Sequence, residues 1–195
     1  PMLAGPVEFD GAPELPIAPY TLGQMIANGY LLGSSASITS NLADGPEIIA
    51  NLRAEGSPIG AIYTNPRQSI QRVCINSKTI VKVREMGLAV KSGEKFIPDP
   101  YKRASVSARV ALLRGLMDGD GSITPERNRV VYHSTSAILA QDVAELVEQL
   151  GGISTVREYV RHDGKPTDYQ VRMRMPGGLS PFSIARKASR YRPGR

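Results

Sequence analysis

Apolar and polar positions along the chain form two successive series of short segments, and each series begins with an apolar helix-like stretch. In the first series, a period near 3.6 predicts helices at about 21–28, 46–56 and 77–87, the last stopped by Gly87. Alternating positions predict strands near 31–39, 59–63 and 69–76. Residues 88–104 contain two prolines and predict a loop.

The pattern restarts at residue 105. It predicts a helix over 105–121 with Ser105 or Ser107 as its N-cap, and an amphipathic helix over 136–152 with Gly151 as its stop. It also predicts a hairpin turning at Pro125–Asn128, a long hairpin around Asp163–Gly164, and a closing helix over 179–190.

The two series indicate a duplicated unit. The stretch TLGQMIANG (21–29) overlays LRGLMDGDG (113–121), and the later segments follow in the same order. The overlay places Gly23 on Gly115, Ala27 on Gly119, Asn28 on Asp120 and Gly29 on Gly121. We therefore expect an N-terminal arm at 1–19, a first repeat with its linker at 20–104, and a second repeat at 105–195.

Small residues spaced four apart lie on one face of each of these two helices. Gly115 and Gly119 share a face, as do Gly23 and Ala27. A glycine in a helix interior costs about 0.5–1 kcal/mol, and close packing of two helices is a sensible compensation. The pattern predicts that the two helices pack on each other at a pseudo-twofold axis.

Asp120 stands at the C-terminal end of its helix, immediately before Gly121. The helix carbonyls there carry partial negative charge, so a carboxylate is unfavourable by roughly 0.3–1 kcal/mol unless a cation binds. With no thiol or imidazole expected nearby, oxygen ligands suit Mg²⁺ or Ca²⁺. The residues alone also allow a plain capped helix with an Asp-Gly turn.

Composition favours a polyanionic partner. Lys and Arg number 24 against 18 Asp and Glu, for a net charge of +6, and nucleic acid is the first partner that a basic domain suggests. A basic protein with an acidic metal site points to phosphodiester chemistry. The single cysteine, Cys74, fits a reducing cytoplasm, the isolated His133 and His162 argue against a zinc site, and we expect no membrane span.

Two other motif interpretations fit the residues only in part. Asp118, Asp120 and Ser122 have the starting spacing of an EF-hand, but Ile123 and Arg129 stand where that loop needs Gly and Glu. LLRGLMDGDGS also resembles the DxDG motif of haloacid dehalogenase phosphatases. That motif normally opens its chain, so this Mg²⁺-dependent phosphatase alternative leaves the upstream half unexplained.

The residues LRGLMDGDG resemble the nine-residue signature of the LAGLIDADG homing endonucleases, in particular the endonuclease domain of inteins. Three further stretches resemble other blocks of that family: KFIPDPY (95–101), STSAILAQDVAELVEQLGG (134–152) and MPGGLSPFSIARKASRYRP (175–193). An intein begins with Cys or Ser and ends in His-Asn, whereas this chain runs from Pro1-Met2 to Gly194-Arg195. We therefore expect an endonuclease domain without splicing segments.

The resemblance implies an α+β fold of two pseudo-symmetric αββαββα repeats, a monomer whose antiparallel sheets form a saddle on double-stranded DNA. It implies cleavage of a long, specific site with Mg²⁺, for which Ca²⁺ or Mn²⁺ can substitute. By motif position the metal is held at Asp120 and Asn28, with Gly119 and Ala27 beside them. Lys95 and Lys187 match lysines that assist catalysis in the family.

For the saddle, the resemblance together with the polar strand positions predicts a set of DNA-contacting residues. They are Arg67, Gln68, Gln71, Arg72, Arg157, Tyr159, Arg161, Lys165, Arg172 and Arg174. Asn28 departs from the family pattern, because an amide oxygen can bind a metal but carries no charge. The expected outcome is weak metal binding on that side, and thus a slow enzyme, a nicking enzyme or a DNA-binding protein that does not cut.

Overall fold

The computed structural model describes residues 5–11, 13–161 and 164–192, which form two α-β-β-α-β-β-α repeats. The first repeat comprises α1 (Pro19–Asn28), β1 (Gly29–Tyr30), β2 (Ala36–Asn41), α2 (Gly45–Ala54), β3 (Ile59–Asn65), β4 (Ile70–Ile75) and α3 (Ser77–Glu85). The one-turn helix α4 (Asp99–Lys102) lies in the linker. The second repeat comprises α5 (Val106–Asp120), β5 (Gly121–Thr124), β6 (Arg129–Ser134), α6 (Ala137–Gln149), β7 (Ile153–Tyr159), β8 (Asp168–Arg174) and α7 (Ala185–Ala188).

Each repeat builds one four-stranded antiparallel sheet, with orders β1-β2-β4-β3 and β5-β6-β8-β7. The pairings correspond: Gly29 faces Ile38 and Ile38 faces Val73 in the first sheet, and Gly121 faces Tyr132 and Tyr132 faces Val171 in the second. Alternate residues such as Val171 and Met173 are buried against the helices, while Gln170 and Arg172 point to the other face. The α+β fold and the repeat order predicted from the sequence are confirmed.

The helices α1 and α5, which we call the motif helices, are in backbone contact. A Cβ on Gly23 would lie 2.5 Å from the Leu112 carbonyl oxygen, and a Cβ on Gly115 would collide with the Tyr20 carbonyl. A Cβ on Gly119 would lie 2.5 Å from that of Ala27. The small residues are therefore required by the close approach of the two helices, as the four-residue spacing predicted.

Some boundaries differ from the sequence prediction. Strand β2 begins at Ala36 rather than near 31, and the predicted closing helix over 179–190 is reduced to the four residues of α7. The reason is a tertiary contact: the Asp118 carboxylate accepts hydrogen bonds from the Ser183 and Ile184 amides and so holds that segment out of a helix. Of the long hairpin's predicted turn, Asp163 lies outside the described residues, as does His162.

The N-terminal arm packs on the second repeat. The guanidinium of Arg109, fully buried, donates to the carbonyls of Ala104, Gln149 and Val7, and it lies 5.0 Å from the centre of the Phe9 ring. The Val7 amide in turn donates to the Gln149 carbonyl. Within the described parts of the chain, no helix has the length and apolar character to cross a membrane.

Candidate active site and DNA-binding surface

The motif helices end side by side with Asn28 and Asp120 as their last residues. Each helix is followed by a glycine in extended conformation whose amide donates back to the helix, from Gly29 to the Met25 carbonyl and from Gly121 to the Met117 carbonyl. The Asn28 amide group lies directly against Gly119. The structure thus brings together all four residues that the resemblance assigned to a metal: Asn28, Asp120, Ala27 and Gly119.

Two buried lysines close the ends of the motif helices. The Lys95 ammonium donates to the carbonyls of Ile26 and Gly29, at 2.7 and 3.1 Å. The Lys187 ammonium donates to the carbonyls of Met117, Asp118 and Gly121, at 2.9, 2.8 and 2.7 Å. Both ammonium groups therefore lie where the helix dipole is negative, and they donate to carbonyls in the last turn of each helix and just beyond it.

The helix ends and the lysines combine across the pseudo-twofold axis. Asp120 of α5 lines a cavity of about 310 Å³ together with Lys95, the lysine that caps α1. Asn28 of α1 lines a second cavity, of about 530 Å³, together with Lys187, the lysine that caps α5. Each half of the site therefore takes its ligand from one helix and its ammonium from the cap of the other.

Burial raises the pKa of Asp120 to about 6, although the nearby charges of Lys95 and Lys187 act in the opposite direction. His133 lines the same cavity as Asp120, so the expectation of no imidazole near this carboxylate is wrong. Burial also lowers the pKa of Lys95 and of Lys187. A desolvated carboxylate with a raised pKa gains most from a bound cation, which replaces the lost hydration. The described residues contain no group of three or more Asp, Glu, His or Cys side chains placed to hold a metal.

Asp118 has a structural role that was not predicted from the sequence. Its side chain is buried, and it accepts hydrogen bonds from the Tyr20 hydroxyl at 2.9 Å and from the amides of Ser183 and Ile184. It therefore ties the segment before Lys187 to both motif helices. A signal was present in the sequence, because a carboxylate two residues before Asp120 points to the other side of its helix.

An ion pair joins the first repeat to the C-terminal segment beside Asn28. The Arg186 guanidinium binds the buried carboxylate of Asp44 in bidentate fashion, with distances of 2.8 and 2.6 Å. This hydrogen bonding holds the pKa of Asp44 below its usual range. Glu47 adds a contact by accepting from the Ala185 amide at 2.7 Å.

The exposed face of the second sheet carries most of the predicted DNA-contacting residues. Arg157 and Tyr159 lie on β7, Arg172 and Arg174 on β8, and the Arg172 guanidinium donates to the Tyr159 hydroxyl at 2.9 Å. Arg161 and Lys165 are exposed beyond the end of β7. These six residues thus share one end or one face of the sheet, which is the arrangement that contact with a duplex requires.

The first sheet is less basic, and one predicted contact does not lie on its exposed face. Arg72 is exposed in register with Tyr63 and Thr39, while Arg67 and Gln68 occupy the tip of the β3–β4 hairpin. Gln71 points the other way, because side chains alternate along a strand, and it is buried beneath Gly45 of α2. The prediction that Gln71 contacts DNA conflicts with this placement, and we omit it from the proposed surface.

Comparison with known proteins agrees with this geometry. Residues 107–175 match the family model of the LAGLIDADG-like domain. The chain is also 32% identical over 179 residues to the replicative DNA helicase DnaB of Mycobacterium intracellulare. That match covers 90% of this chain but 26% of the helicase, so the chain spans about a quarter of its curated relative.

The solved structures that resemble the chain share its fold. The homing endonuclease I-DmoI in complex with DNA and Mn superposes with a TM-score of 0.53 at 14% identity, covering 80% of this chain and 88% of that one. The N-terminal LAGLIDADG domain of WhiA superposes with a TM-score of 0.52 at 14% identity, covering 79% and 73%. I-DmoI structures determined in the presence of Mg or with Ca match at TM-scores of 0.54 and 0.50. The chain has the LAGLIDADG fold.

Proposed function

We propose that this LAGLIDADG domain is a site-specific endonuclease of double-stranded DNA whose cleavage is strongest, or exclusive, on the strand that enters the Asp120 cavity. The observation that carries the proposal is the pairing of Asp120 with Asn28 at the ends of two helices in backbone contact. The arginines of the second sheet supply a positive surface for the duplex. The similarity to one quarter of a helicase chain supports an intein-type domain carried within a longer polypeptide.

The donor set fits one divalent cation better than two. Asp120 offers a carboxylate, Asn28 an amide oxygen, and Gly119 and Ala27 offer backbone carbonyls, all of them oxygen ligands of the kind that Mg²⁺, Mn²⁺ or Ca²⁺ prefers. The desolvation that raises the pKa of Asp120 is relieved when a cation binds there. The amide of Asn28 carries no negative charge to balance that of a cation, so we place the cation beside Asp120.

A divalent cation, when bound, activates water and stabilises the leaving oxygen of a phosphodiester. The protein's own groups orient the substrate. Asp120 would hold the cation at the end of α5. Lys95, which lines the same cavity, keeps the end of α1 in place beside it. On the other side, three cations, Arg186, Lys187 and Arg190, line the Asn28 cavity against the carboxylates of Asp44 and Asp118. The small positive excess suits a phosphate that is bound and not cut.

A second candidate function is sequence-specific DNA binding without cleavage. The observation that favours it is the neutral side chain of Asn28. In addition, the described residues contain no group of three or more Asp, Glu, His or Cys side chains placed to hold a metal. Under this alternative, Asp120 only packs at the end of α5, and the two sheets of the saddle bind DNA.

Cleavage of a selected site distinguishes the two candidates. A duplex enriched by binding from a random library is placed in a supercoiled plasmid and incubated with Mg²⁺ or Mn²⁺. The proposal predicts mainly nicked circles with wild-type protein, linear product with Asn28→Asp, and neither with Asp120→Asn. If wild type and Asn28→Asp bind the site tightly and leave the plasmid supercoiled, the endonuclease proposal is rejected and the binding protein remains.

A further inference from the structure

A polar network lies on the exposed face of the second sheet, beside the Asp120 cavity. The Asp168 carboxylate lies 3.3 Å from Nδ1 of His133 and accepts a hydrogen bond from Nε2 of Gln170 at 2.8 Å. Nε2 of His133 lies 3.3 Å from the Ser122 hydroxyl. Both His133 and Asp168 also line the cavity that contains Asp120. We call His133, Asp168 and Gln170 the acceptor cluster.

Asp168 is unexpected at this place. Among the described residues of β5–β8 that share its face, it is the one carboxylate, and the charged neighbours on that face include Arg157, Arg172 and Arg174. A carboxylate on a surface that meets phosphates weakens non-specific attraction to DNA. A hydrogen bond to a base edge, which a surface inside the groove can supply, offsets that loss.

The hydrogen bonds of the cluster determine what it offers to a base. In the tautomer that places its proton on Nδ1, toward Asp168, His133 has an acceptor at Nε2, which the Ser122 hydroxyl also approaches at 3.3 Å. The carboxylate of Asp168 has lone pairs beyond those used by His133 and Gln170. The cluster therefore presents acceptors, whereas the arginines on the same face present only donors.

Base edges in the major groove likewise present either hydrogen-bond acceptors or hydrogen-bond donors. Guanine presents acceptors at N7 and O6, which suit arginine, while cytosine N4 and adenine N6 present the hydrogen-bond donors. We infer that the acceptor cluster determines sequence specificity by accepting a hydrogen bond from the exocyclic amine of a cytosine or adenine. The base pair concerned is the one that borders the Asp120 cavity, because His133 and Asp168 line that cavity. This inference rests on the proposed function and adds the chemistry of one recognised position.

The test is selection of bound duplexes from a random library by wild type, Asp168→Asn and His133→Arg, followed by sequencing. Glu158→Gln is the matched control, because it removes the same charge from β7 at a position in register with Tyr169, on the opposite face from Asp168. Thermal unfolding of each variant confirms that it is folded. His133→Arg serves as the second variant, since its position is half-exposed and it replaces an acceptor with a donor.

For wild type we expect cytosine or adenine to be enriched at one or two positions near the cut or nick. Asp168→Asn should reduce that enrichment at least about fivefold and leave the other positions unchanged, and His133→Arg should shift it toward guanine. Glu158→Gln should leave the whole profile as in wild type. An unchanged profile in both cluster variants, or an even loss at all positions, overturns the inference. If wild type enriches no duplex at all, the proposed function fails first and this inference with it.

Discussion

Lys95 and Lys187 occupy the same position in the two repeats. The interval between them is 92 residues, the same as that from Asn28 to Asp120. The carbonyls that they bind correspond as well, since Ile26 and Gly29 of the first repeat align with Asp118 and Gly121 of the second. The two lysines are therefore equivalent caps of the motif helices, and their closeness to the cavities follows from that position.

Replacing either lysine with methionine should destabilise the fold, because the carbonyls at a helix end lose their donors. We expect a loss of about 2 kcal/mol in the free energy of unfolding for Lys187→Met and a smaller loss for Lys95→Met, which breaks two hydrogen bonds and not three. Urea unfolding measures this, with the exposed Lys78→Met as the control. Full stability together with lost cleavage would mean that the lysines act on the substrate and not as caps.

The repeat and the motif helices could be predicted from the sequence because their signals are local. Glycines four residues apart indicated the helix contact, and alternating positions indicated the strands. The short α7 could not be predicted, because it depends on Asp118 accepting from amides 65 and 66 residues away. Local propensity gives no information on such a contact.

In the candidate site too, the features with local signals could be predicted from the sequence and those that depend on tertiary contacts could not. The equivalent positions of Asn28 and Asp120 could be predicted from the repeat. That Asp120 shares a cavity with Lys95, and Asn28 with Lys187, depends on how the two motif helices cross, which the sequence does not reveal. The burial of Gln71 depends on which strand face α2 covers, and an alternating polar strand does not reveal this. His133 appeared isolated because Asp168, its partner, is 35 residues away.

Asp120→Asn should stabilise the metal-free protein at neutral pH. The pKa of Asp120 in the folded state is about 6, above that of an unfolded aspartate, so its contribution is most favourable below about pH 4 and is lost as the pH rises to about 6. We expect a gain of up to about 2 kcal/mol at pH 8 in EDTA and little difference at about pH 3.5. Chemical unfolding at the two pH values measures it. Equal effects at both pH values would contradict the desolvation of this carboxylate.

The same variant should lose the stabilisation that a divalent cation gives. A ligand that binds only the folded state raises the unfolding temperature, and its stabilisation grows with the logarithm of one plus the ratio of the free ligand concentration to Kd. Wild type should therefore shift upward with Mn²⁺ or Ca²⁺, and Asp120→Asn should not. Asp118→Asn is the contrast, because Asp118 faces its hydrogen-bond partners and not the candidate metal position.

Asn28→Asp should increase metal affinity by adding a second negative ligand at the pseudo-twofold axis. The affinity of oxygen-ligand sites rises with the number of charged ligands, and we expect the Kd for Mn²⁺ to fall roughly tenfold. Titration calorimetry on the protein–DNA complex measures both affinity and stoichiometry. Asn76→Asp, at the exposed N-cap of α3, adds the same charge at a position that lines neither cavity and should change neither value. An unchanged Kd in Asn28→Asp would place the metal elsewhere.

The Asp44–Arg186 pair should make the fold sensitive to acid. Because the pKa of Asp44 is lowered in the folded state, its contribution is fully present above the pKa of an unfolded aspartate, about 3.9, and is lost as the pH falls below that value. Asp44→Asn should cost about 2 kcal/mol at pH 7, where the ion pair is intact, and less at pH 3. Unfolding in urea across this range checks the sign. A constant difference at all pH values would show that packing, not charge, accounts for the loss.

The second sheet should account for most of the salt dependence of DNA binding. Its outer face carries three arginines, of which Arg157 and Arg174 are exposed and Arg172 is half-exposed. The strands of the first sheet carry one exposed arginine on that face, Arg72. A guanidinium that neutralises a phosphate releases a counterion, so replacing it lowers the slope of log K against log salt by about 1. Arg172→Gln should show this decrease in fluorescence anisotropy titrations with a selected duplex, while Arg53→Gln, exposed on α2, should keep the wild-type slope. If none of the three second-sheet arginines alters the slope, the duplex does not lie on this face, because a phosphate contact cannot be removed without a change in counterion release.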